Sequence, residues 1–128
     1  EIGLSQKDLS YYENVATQLE RIADHAAKIA RTVINTDKKS GNLSYGLKSL
    51  ANKILPLLKS SEEMVLKLDK SLAHKILDKN STIEKMIALS RNVKSLNEMI
   101  VVDSLDRLRG YVMNLAEITI DQTIAKQG

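Results

Sequence analysis

Two carboxylates four residues apart, Glu20 and Asp24, stand in the stretch LERIADHAAKIA at residues 19–30. Side chains at i and i+4 of a helix lie one above the other, so the two acids point the same way. Paired oxygens of that kind suit a hard cation or iron, and a tight site needs at least one more ligand from another helix. Glu13, a heptad before Glu20, extends the acidic strip, and Glu84 is the best candidate from elsewhere in the chain. The plainer alternative pairs Glu20 and Asp24 with Arg21, Lys28 or Arg31, exposed ion pairs worth only about 0–1 kcal/mol.

Cysteine is absent, so disulfides and thiolate metal sites are excluded, and His25 and His74 are the only nitrogen options. His25 lies on the far side of the helix from the Leu19–Ala23 seam at 100° per residue, which predicts a surface or capping role. His74 sits among basic residues and receives no assignment. The chain has no Ser-His-Asp order, no Gly-rich phosphate loop and no metalloprotease helix motif. A non-enzymatic protein is the expectation.

The element that must carry the acidic pair is a long helix over residues 5–35, with Ser5 as its N-cap. Leu19, Ala23, Ala26, Ala30 and Val33 follow the alternating 4 and 3 spacing of a packed seam. Val15, Ile22 and Ile29 form a second stripe at strict heptad spacing, rotated by about 100°. Two stripes need two packing surfaces. The first is expected to face the bundle core and the second to meet another copy, or a missing domain of the same chain, in a symmetric helix–helix contact.

A polar run with Gly41 ends this helix. A second helix is expected over residues 43–77, with Leu47, Leu50, Ile54, Leu57, Ser61, Met64, Leu68 and Leu72 as its seam and Pro56 bending it. Asn80 or Ser81 caps a third, over residues 82–97, that turns Ile83, Ile87, Val93 and Leu96 inward. Ile100, Val101 and Val102 leave a break open before a fourth, capped by Asp103 or Ser104. Four apolar seams imply an all-α antiparallel bundle of about four helices. Leu19, Ala23, Ala26, Leu50, Ile54, Leu68, Leu105, Leu108, Val112 and Leu115 are the expected core.

LDRLRGYVMNLA at residues 105–116 repeats residues 19–30 in worn form. Leu19 meets Leu105, Glu20 meets Asp106, Arg21 meets Arg107 and Ile22 meets Leu108. Ala26 meets Val112 and Ala30 meets Ala116. An acid–Arg–aliphatic triplet in register marks an internal repeat rather than two unrelated amphipathic helices.

The string ERIADHAxxIA resembles the signature of PhoU-type phosphate uptake regulators, which carry an acid-x-x-x-Asp-His motif in each of two helical repeats. The similarity is sharp over residues 18–33 and recognisable over 104–120. It continues in DKSLA at residues 69–73 and in Ile83-Glu84. The resemblance implies three-helix repeats whose surface carboxylates hold iron, zinc, manganese, magnesium or another divalent metal, with Glu20, Asp24 and Glu84 as the candidates here. It implies a cytoplasmic regulator of phosphate homeostasis that contacts the ATP-binding subunit of a phosphate transporter or another regulatory protein. The departures are specific. Gly110 stands where the second motif aspartate belongs, Tyr111 replaces its histidine, Arg109 takes the place of Ala23, and Asn80 replaces an aspartate four residues before Glu84. A complete two-cluster metal protein is therefore not expected. The guanidinium of Arg109 is expected either to reach solvent or to occupy the space of the lost second metal.

With 128 residues, 43% apolar and 27% charged, the chain fits one soluble domain over residues 1–128. Four Tyr with no Phe or Trp leave the core to Leu, Ile, Val, Ala and Met, as suits interdigitating helices. A net charge of +3, spread rather than blocked, gives no nucleic-acid footprint, so any nucleic-acid contact would need a separate domain. No apolar run spans a bilayer and no signal peptide is evident. The start at Glu1 without methionine fits a piece of a longer chain, such as the part of an archaeal regulator that follows a DNA-binding domain. The competing readings are a structural or dimerisation module of a transcription regulator, without metal or phosphate role, and a helical accessory domain of an ion-channel regulator.

Overall fold

A computed structural model describes residues 5–37, 44–93 and 95–127, without the side chains of residues 36, 37 and 45. Five helices account for nearly all of them: α1 (Gln6–Asp37), α2 (Tyr45–Lys67), α3 (Lys70–Asp78), α4 (Asn80–Ser90) and α5 (Leu96–Gln127). The architecture is an all-α bundle, with no strand among the described residues. None of its helices is long and apolar enough to cross a membrane.

Short polar residues set the starts of four helices; α4 instead begins after Lys79 with no side-chain cap, so Asn80 and Ser81 lie inside the helix rather than capping it as expected. Ser5 Oγ accepts from the Asp8 amide at 3.1 Å, as its position in the sequence predicts. Ser44 accepts from Leu47, Asp69 from Leu72 and Ser95 from Glu98, opening α2, α3 and α5. The expected second helix is therefore two. Leu68 turns into the left-handed region at φ 51°, where its N–H bonds back to α2, and Asp69 starts α3 in a new direction. Apolar periodicity runs unbroken through this point and hides the corner. Pro56 lies within α2 without ending it, on the exposed side of the helix. The third expected helix stops earlier than predicted, at Ser90, which leaves Leu96 exposed. Residues 100–102 are helical, so α5 starts at Leu96 rather than at residues 103–104.

The hub is α5, which packs against each of the other four helices. Val101, Val102, Leu105, Leu108, Val112, Met113, Leu115 and Ala116 are all buried, a spread round the helix that fits an element enclosed on most sides. Leu47, Leu50, Ile54, Leu57 and Met64 of α2 meet it, as their spacing predicts, with Ala73, Ile76, Ile83 and Ile87 closing the core from α3 and α4.

Helix α1 lies antiparallel on α5. Gln122 donates to Asp8 at 2.8 Å near one end, and Asn114 donates to Gln18 at 3.2 Å further along. The Gln122 bond, ahead of the Ser5 cap, holds the Asp8 carboxyl below the usual aspartate range. The face of α1 on α5 carries Tyr11, Val15, Gln18, Ile22, His25 and Ile29. This reverses the expected assignment. The heptad stripe Val15–Ile22–Ile29 packs within the chain and is not free to meet another copy. Leu19, Ala23, Ala26 and Ala30 face solvent, Leu19 at 47% exposure. Branched aliphatic side chains bury more area than alanines, so the face with Val and Ile takes the core.

Candidate functional site

Glu20 and Asp24 both face solvent on α1, side by side with the exposed Leu19 and Ala23. Among the described residues neither takes part in an ion pair, so the expected neutralisation by Arg21, Lys28 or Arg31 is not made. Arg21 instead lies over the Tyr111 ring, 5.9 Å from its centroid.

Glu84 stands on α4 and is already engaged. Asn80 Nδ2 donates to its Oε1 at 2.9 Å, and Arg109 Nη1 of α5 approaches the same oxygen at 3.4 Å. Arg109 also donates to Asn80 Oδ1 at 2.8 Å and to Asp106 at 2.9 Å. Arg91, at the end of α4, binds Asp106 at 3.0 Å and also Asp103. The guanidinium of Arg109, 18% exposed, thus sits among Asp106, Asn80 and Glu84. These are the degenerate second motif and the middle motif singled out in the sequence. Arg109 thus joins α5 to α4 through three oxygen partners, one from each of Asp106, Asn80 and Glu84. Among the described residues no three of His, Asp and Glu converge as a metal-ligand group, so Glu20 and Asp24 offer two carboxylates without a third protein ligand.

A second polar feature, not foreseen, is an open cleft of about 700 Å³ along the α1–α5 seam. His25, Lys28, Ser104, Arg107, Tyr111 and Asn114 line it, together with the Arg91 and Arg109 pairs to Asp103 and Asp106. His25 turns toward α5, opposite to the expected direction. Its Nδ1 lies 3.5 Å from Ser104 Oγ, at the outer limit of a hydrogen bond, and its ring is 5.7 Å from that of Tyr111. Burial, then the nearby charges of Lys28 and Arg107, lower the imidazole pKa below the usual histidine value, against the weaker pull of Asp24. His25 and Tyr111 occupy equivalent positions in the two sequence repeats, and their rings meet across the α1–α5 seam. The repeat alignment was the signal that could have located the cleft.

No protein-family model, curated protein or solved structure matches the chain.

Proposed function

We propose that this chain is a non-enzymatic helical regulatory module of the PhoU-like kind, acting in phosphate homeostasis by protein–protein contact through the outer face of α1. One observation carries the reading. The segment with the motif resemblance keeps Glu20 and Asp24 unpaired in solvent, flanked by the exposed apolar side chains of Leu19, Ala23 and Ala26. An acidic strip beside apolar surface is a recognition face, with the apolar part supplying area and the charges supplying orientation. The resemblance points to a cytoplasmic partner, the ATP-binding subunit of a phosphate transporter or a regulatory protein. A divalent cation on Glu20 and Asp24 would bind weakly, since a hard cation takes six or more oxygens and the remainder would come from water or the partner.

The test is phosphate uptake in the organism that encodes the chain. Its removal should raise uptake, the wild-type sequence should restore control, and a Leu19→Glu with Ala23→Glu variant should fail to restore it while keeping its helical circular dichroism. Uptake unchanged by removal would overturn the reading. A second reading, a dimerisation module of a transcription regulator, is favoured by one further observation. Leu55 and Leu66 of α2 are exposed as well, and Leu66 borders a small apolar groove with Leu19 and Ile22. Sedimentation of the isolated chain separates the two, since a dimer dissociated by Leu19→Glu favours the module.

A further inference from the structure

The cleft between α1 and α5 holds more positive charge than its own carboxylates neutralise. Four cations line it, Lys28, Arg91, Arg107 and Arg109, against Asp103 and Asp106. Arg91 and Arg109 are occupied by those two carboxylates. Among the described residues Lys28 and Arg107 form no ion pair. They come from helices at opposite ends of the sequence, and both act on the same imidazole. Two further carboxylates border the cleft: Glu84, which is engaged by Arg109 and Asn80, and Asp24, beside His25, whose pull on the imidazole is the weaker.

Like charges brought together by folding repel, and a cleft that keeps them unpaired is arranged for a counter-charge from outside. The remaining groups fit an oxyanion. His25 lines the cleft with Nδ1 3.5 Å from Ser104 Oγ, and Nε2 is the ring nitrogen without that contact. Arg107 offers the planar fork that takes two oxygens at once, and Lys28 offers a point charge. We propose that this cleft binds a dianionic tetrahedral oxyanion, held by Lys28 and Arg107 with His25 as a third donor. The ligand is a phosphoryl group, either free inorganic phosphate or the terminal group of a phosphorylated small molecule. The proposal rests on the cleft alone and holds or fails independently of the regulatory reading.

The experiment is a titration of the purified chain with sodium sulfate, sodium phosphate and glucose 6-phosphate at constant ionic strength. It is followed through the His25 ring protons by NMR, with chloride as the control. Saturable shifts at His25 and its neighbours are expected, with dissociation constants of about 1 mM or below. The Lys28→Gln with Arg107→Gln variant alters two exposed side chains and should remain folded. It should weaken binding by about tenfold or more. Glu20→Ala should leave binding in place, which separates this site from the α1 partner face. Tighter binding of glucose 6-phosphate than of phosphate assigns the ligand as an attached phosphoryl, and the reverse assigns the free ion. Shifts that rise linearly and match chloride, or binding unchanged by the double variant, overturn the proposal.

Discussion

Single residues decide which polar features of this bundle are satisfied and which are open. Arg109 is the clearest satisfied case. It was conspicuous in the sequence as a charge at a small-residue position, and its three oxygen partners explain why it is tolerated. Tyr11 is the opposite case. Its hydroxyl is buried and makes no hydrogen bond of full geometry among the described residues; burial pushes its pKa up, against a weaker opposing interaction with the nearby Thr119. Deleting an unpaired buried hydroxyl removes a desolvation cost while keeping the ring. Tyr11→Phe should therefore raise stability by about 1 kcal/mol in urea melts. A clear loss would show that the hydroxyl has a partner, such as an ordered water.

Among the elements, the corner between α2 and α3 does most to shape the fold. A leucine in the left-handed region is held there by its backbone bonds to Met64 and Val65, and Asp69 restarts the helix at once. Asp69→Ala should cost about 1 kcal/mol through the lost cap. Thermal unfolding unchanged to within experimental error would mean that packing alone fixes the corner. Such local devices also mark where the sequence was readable. The α2 seam was legible because Leu47, Leu50, Ile54, Leu57 and Met64 form a single stripe with no rival. On α1 two stripes competed, and the polar Gln18 at a core position disguised the one that packs. The true face became clear only with Asn114 of α5 across from it. In the candidate site, Glu20, Asp24, Glu84 and Arg109 stood out one by one. The grouping of Arg109 with Asn80, Glu84 and Asp106, and that of Lys28 with Arg107, depends on which helices become neighbours, which no local pattern encodes.

At the scale of the whole molecule, α5 touches every other helix, while α1 packs almost entirely on α5. That asymmetry bears on how the fold opens. A helix with one neighbour can detach by giving up one interface, whereas α5 cannot leave without dismantling the rest. Two classes of amide protection are therefore expected in native-state hydrogen exchange. The amides of α1 should exchange through a partial opening of lower free energy, and those of α2 and α5 only through global unfolding. Denaturant should accelerate α1 with a smaller slope, since less surface is exposed. Equal protection across all three helices would contradict this. Because Lys28 and His25 ride on the detachable helix and Arg107 on the fixed one, an anion held between them would act as a clasp. It should slow exchange in α1 selectively, in proportion to its occupancy.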